Sequence, residues 1–168
     1  MKTHTINPIN SPFKTHNTMN STMKNNSMKT TRGQRNNNPL NIRRSTSAWR
    51  GKVPHSLSTD HAFEQFTDMA YGYRAACRLI ANYISLWRCR TVRQIINRWA
   101  PASDGNDVAA YVATVAQRTG LQPTTRIQTD DDLMSLVCGM AYVESCLVIT
   151  SDELRTLFAQ HGILATFL

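Results

Sequence analysis

DDDLMSLVCGMAYVESC, residues 130–146, decides between helix and strand for this chain. Leu133, Leu136, Val137 and Met140 recur at three- and four-residue spacing, the period of one helical face rather than the two-residue alternation of a strand. The three aspartates at its start suit a helix N-terminus, where the backbone dipole favours negative charge. Continued in phase, the stripe reaches Glu144, a carboxylate where the pattern calls for an apolar side chain. A carboxyl group held on an apolar face is favoured in its protonated form, which a general acid requires. A fraying helix end would instead turn Glu144 to water, and phase alone leaves both readings open.

Outward from this segment the helical pattern repeats. Thr67 or Asp68 can cap a helix in which Tyr73, Ala76, Cys77, Ile80 and Ile84 share a face up to Trp87. Thr91 can cap a second, striped by Val92, Ile95, Ile96 and Trp99 and ended ahead of Pro101. Asn106 or Asp107 can cap a third, with Val108, Tyr111, Val112 and Val115 in phase and Gly120 at its stop. Beyond residues 130–146, Thr150 and Glu153 form a capping box for a last short helix.

Upstream, residues 33–60 are polar and punctuated by Pro39, Gly51 and Pro54, and AFEQF at 62–66 suits a short strand. The fold class read from this is mainly α (α+β), a helical domain over residues 31–168 with a small irregular or β-hairpin part. Residues 1–30 mix Asn, Thr, Ser, Met and Lys, with Ile6 and Phe13 as the large apolar side chains besides methionine. Such a composition predicts a disordered tail. Translation from Met28 would remove most of it.

The net charge of +8 is unevenly placed. Residues 1–59 hold ten Lys/Arg and no acid, whereas residues 60–168 hold nine Lys/Arg against eleven Asp/Glu. A basic front suits a polyanion, be it nucleic acid, anionic lipid or the polymers of a bacterial envelope. No apolar run has the length of a signal peptide's central region or a membrane span. Delivery outward would therefore use a virion, a pore or a secretion apparatus.

Cys77, Cys89, Cys138 and Cys146 form no C-x-x-C pair, and the histidines lack zinc-ligand spacing, so neither a metal nor a cofactor is expected. Cys77 and Cys138 lie in apolar helical patterns and read as reduced, small hydrophobes. His55, Asp60 and His61 are of metal-ligand type but read as surface residues. The helix pair 91–99 and 107–119 invites a helix-turn-helix reading, yet its loop exceeds the usual three or four residues and the second helix carries only Arg118 as a basic group. Nucleic acid is therefore not the favoured partner.

RGQRNNNPLNIRR, residues 32–44, is on composition a capping and turning loop. Its side-chain amides also match sugar hydroxyls and N-acetyl groups, and Trp49 could supply a stacking face.

That run, with WRGK at 49–52, FEQF at 63–66, AYGYRAA at 70–76 and INRWAPASDGNDVAAY at 96–111, resembles small phage and prophage proteins of the virion structural or endolysin-like kind, over residues 31–146. More distantly, the order NNPLNIR, WRGK, FEQF and RWAPASDGNDVAAY is similar to the flagellar-type and autolysin glucosaminidases of the lysozyme-like superfamily. Those enzymes place a helix ending in Glu-Ser before the asparagine stretch, and no such helix precedes Asn36. MAYVESC at 140–146 looks like that helix moved to the other end, which implies a circularly permuted lysozyme-like domain.

The resemblance implies a protein that binds and cleaves the glycan strand of peptidoglycan. Glu144 would be its acid, Asn36, Asn37, Asn38 and Asn41 would shape the sugar groove, and Trp49, Trp99 and Tyr111 would stack or position. Glu64, Asp104 and Asp107 are candidates for a second carboxylate, and hydrolase and lytic transglycosylase stay unseparated. A non-catalytic virion or wall-binding protein, with other virion proteins as partners, is the alternative; a nucleic-acid module stands third. For either of the first two, the Glu144 helix has to fold back beside the 36–42 loop.

Overall fold

The computed structural model describes residues 30–168; the tail expected at 1–30 lies, except for Thr30, outside the described residues. Among the described residues the architecture is mainly helical, with α1 (Arg32–Arg35), α2 (Met69–Ser85), α3 (Val92–Trp99), α4 (Val108–Thr119), α5 (Asp130–Ser145) and α6 (Ser151–Gln160). A 3-10 turn, Ala102–Asp104, lies in the α3–α4 connection.

Local chemistry accounts for most of these limits. The Asp68 carboxylate accepts from Ala70 N at 2.8 Å and starts α2. Thr91 and Gln94 close a capping box on α3, Asp107 caps α4 through Ala110 N, and Thr129 with Asp132 and Thr150 with Glu153 close boxes on α5 and α6. Gly120 stops α4 in the left-handed conformation with φ 76°.

The central element is α5, which packs against α1, α2, α4 and α6. Leu133, Met134, Leu136, Val137, Cys138, Gly139, Met140 and Ala141 are all buried, so this helix is apolar nearly all round, as a helix enclosed by others must be. Cys77 of α2 is buried in the same core as Cys138.

Two segments differ from their sequence expectation. RGQR was read as turn-rich chain, yet it closes one helical turn because Thr31 and Gln34 cap each other reciprocally. AFEQF forms no strand: Phe63 bridges Arg43 and Phe66 bridges Lys52 as isolated antiparallel pairs. Its ladder is interrupted because the chain between these contacts turns repeatedly, with side chains of Asn38, Asp60 and Glu64 capturing backbone groups that a ladder would use.

Candidate functional site

Glu144 lies one residue from the end of α5 and is half-buried. Its Oε1 accepts two hydrogen bonds, one from Trp99 Nε1 at 2.9 Å and one from Tyr111 OH at 3.1 Å. Trp99 is the last residue of α3 and Tyr111 stands in the first turn of α4, so three helices converge on this carboxylate. Oε2 has no hydrogen-bond partner among the described residues and is left to face a ligand or solvent. Burial and the neighbouring carboxylate hold the Tyr111 phenol far above its ordinary range, so it remains a donor at any working pH.

The asparagine loop lies against the same helix end. Asn41 Nδ2 donates to the Glu144 carbonyl at 3.0 Å, and Thr31 Oγ1 donates to the Ser145 carbonyl at 3.0 Å. Gly33 makes this approach possible, because a Cβ there would collide with Ser145 Oγ. On the other side Gly72 of α2 meets the Asn37 carbonyl just as closely.

The other asparagines act within the loop. Asn38 is fully buried, with Nδ2 donating to Ile42 O at 3.0 Å and Glu64 O at 2.8 Å while Oδ1 accepts from Ile42 N at 2.8 Å. Asn36 donates to Asp60 Oδ2 at 2.8 Å, and Asn37 donates to Phe66 O at 3.1 Å. Their amides are engaged by protein and brace the loop itself. Trp49 is half-buried at the edge of the core, its indole N–H buried without a partner among the described residues.

Each candidate second carboxylate is already engaged. Glu64 is completely buried and receives Lys52 Nζ at 3.0 Å, Ser45 N at 2.8 Å and His55 Nε2 at 3.0 Å. Burial alone would raise this carboxyl, but those donors and the Lys52 charge outweigh it and hold Glu64 below its ordinary value. Asp107 caps α4, and exposed Asp104 accepts from Ser103 Oγ at 3.3 Å within the 3-10 turn. Glu144 is thus the carboxylate with a free oxygen beside two aromatic donors.

Sequence periodicity left out one neighbour, Tyr83 of α2, whose ring stands 6.4 Å from that of Trp99. It lies off the buried stripe of α2, and only the crossing of α2 and α3 brings it to the site. A cavity of about 590 Å³ between α2 and α6 is lined by Met69, Tyr73, Leu157 and the 147–149 segment; Glu144 is not part of its wall.

No family model matches the chain. It is 34% identical over 128 residues to "Protein P5" of Pseudoalteromonas phage PM2, an alignment that spans 74% of this chain and 78% of that protein.

Proposed function

Since the chain belongs to the family of Protein P5 of Pseudoalteromonas phage PM2, we propose that it is a bacteriophage protein that binds and cleaves the glycan strand of peptidoglycan through Glu144, from a lysozyme-like domain spanning residues 31–168. The observation that carries this is the convergence of Trp99, Tyr111 and Asn41 on one glutamate. These four residues were singled out by motif resemblance from segments up to 103 residues apart, and three of them meet at the fourth.

In this reading the Oε2 proton of Glu144 passes to the glycosidic oxygen as the bond to the anomeric carbon breaks. Trp99 and Tyr111 hold Oε1, so the proton-bearing oxygen has a fixed direction. The cation developing at the anomeric carbon is then captured by water or by a hydroxyl of the same sugar, and the proton released from that oxygen passes to the Glu144 carboxylate, which restores the acid. A single acid suffices where the substrate supplies the second group. Delivery as part of the virion suits a phage protein whose described residues include no helix long and apolar enough to cross a membrane.

One observation favours a second reading. Glu144 also ties α3, α4, α5 and the asparagine loop together, as a non-catalytic virion protein or wall-binding module would equally need. Glu144→Gln separates the two, because its amide oxygen still accepts from Trp99 and Tyr111. Muropeptide release by the native protein, abolished in a variant that melts normally, supports the enzyme. Equal release by both proteins removes Glu144 from the chemistry, and no release by either leaves the structural reading.

A further inference from the structure

Resting on the glycan-strand reading, we infer that the surface built by Tyr83, Trp87 and Arg98 is a subsite distal to Glu144, taking a sugar ring together with the anionic peptide stem of an uncleaved peptidoglycan strand.

The surface is continuous with the site. From Glu144 the indole of Trp99 leads to the ring of Tyr83 at 6.4 Å. The Arg98 guanidinium lies 5.0 Å from the Tyr83 ring and 3.8 Å from the Trp87 ring, within cation–π distance of both. The Trp99–Tyr83 step has the spacing of a tilted aromatic pair and the two steps through Arg98 have cation–π spacing, so the contacts run unbroken outward from the acid. Arg98 covers a face of Trp87, which is still 58% exposed, and Leu86 beside it is 71% exposed.

Contiguous exposed apolar groups rimmed by polar ones mark interaction surfaces. Holding them there has a conformational cost as well. Arg88 adopts φ 58° where helix ends usually place glycine, and the Cys89 amide returns to the Tyr83 carbonyl at 3.0 Å. That turn presents Leu86 and Trp87 outward at the end of α2.

The charge of the platform identifies its occupant. Between Asp68 and Asp104 the chain has six arginines, Arg74, Arg78, Arg88, Arg90, Arg93 and Arg98, and no acid. Arg88, Arg90, Arg93 and Arg98 are exposed, and the Arg98 guanidinium lies against the Trp87 ring. A strand stripped of its stems keeps one lactyl carboxylate on each muramic acid, and an intact stem adds further carboxylates farther from the sugar backbone. Stem peptides bear free carboxylates, which guanidinium groups recognise in paired, planar geometry.

The test uses catalytically silent Glu144→Gln protein in binding assays with three probes: intact sacculi, glycan strands stripped of stems by an amidase, and vesicles of phosphatidylglycerol. Tighter binding to intact sacculi than to stripped strands is expected, with Trp87→Ala and Arg98→Gln each weakening sacculus binding about tenfold. Arg98→Lys, which keeps charge without the planar fork, should recover only part of that loss. Undiminished sacculus binding by both variants overturns the subsite, as does equal affinity for intact and stripped glycan. Losses confined to vesicles overturn it in favour of a lipid surface. Failure of the Glu144→Gln parent to bind any glycan removes the subsite together with the proposed function, whereas unaltered variants of a glycan-binding parent remove the subsite alone.

Discussion

The side-chain amide of Asn41 donates at 3.0 Å to the main-chain carbonyl of Glu144, joining the asparagine loop to the end of α5 across 103 residues of sequence. Asn41 is also one of four non-glycine residues with positive φ among the described residues, at 50°. Asparagine supplies two things here: a donor, and tolerance of left-handed backbone.

Substitution can separate those contributions. Asn41→Ala loses the hydrogen bond, worth about 1 kcal/mol, and adds a left-handed penalty of about 1–2 kcal/mol. Asn41→Gly loses the bond but keeps the backbone freedom. Chemical denaturation should therefore rank native protein above Asn41→Gly and that above Asn41→Ala. Equal midpoints for the two variants would show that φ contributes nothing at this position.

Trp99 and Tyr111 both serve the same carboxylate oxygen, so their contributions are coupled. Tyr111→Phe or Trp99→Phe leaves one donor in place, and each should lower muropeptide release about tenfold, or about 1.4 kcal/mol. The doubly substituted protein leaves a half-buried carboxylate with neither donor. Its loss should exceed the product of the single losses; a strictly multiplicative effect would mean the two donors act independently.

Glycine packing provides a further ranking. A Cβ at Gly72 would run into the Asn37 carbonyl and Pro39 Cδ, which belong to backbone and a rigid ring. At Gly33 the nearest obstacle is the Ser145 hydroxyl, which can rotate away, although the Asn38 carbonyl stands at 2.8 Å. At Gly105 a Cβ would meet nothing within 4 Å, and only its φ of 82° opposes substitution. Alanine should thus cost most at Gly72, several kcal/mol or a failure to fold, and least at Gly105, about 1 kcal/mol. Thermal unfolding of the three variants checks the order.

Those same close approaches explain what sequence could and could not convey. Thr91, Asp107, Thr129 and Thr150 mark helix starts through bonds to residues three positions on, so their signal is local and legible. The stripe of α5 carried Glu144 inward for the same reason. The partners of Glu144 are set by how α3 and α4 cross α5, and only resemblance to known enzymes singled out Trp99 and Tyr111 beforehand. The roles of Asn36, Asn37 and Asn38 were hidden differently. An amide that braces a loop and one that meets a sugar have the same composition, and only the partners at Asp60, Phe66 and Glu64 distinguish them.

Acid should loosen this loop before the helical core. Burial alone would raise the Asp60 carboxyl, but donation from Asn36, Ala62 N and Phe63 N, with the Arg32 guanidinium at 3.2 Å, holds it at about 2. Glu64 is shifted downward as well. A carboxyl whose folded value lies below its unfolded value binds its proton more readily in the unfolded chain. Its stabilisation is therefore complete above the unfolded value and fades as pH falls through the folded one. For Asp60 that window runs from pH about 4 to about 2, with about 2 kcal/mol at stake. Urea midpoints of the native protein should fall across this range, and Asp60→Asn should start lower at neutral pH and fall less. Parallel pH profiles for the two proteins would show that Asp60 is not the group that titrates, and would leave the acid response to Glu64.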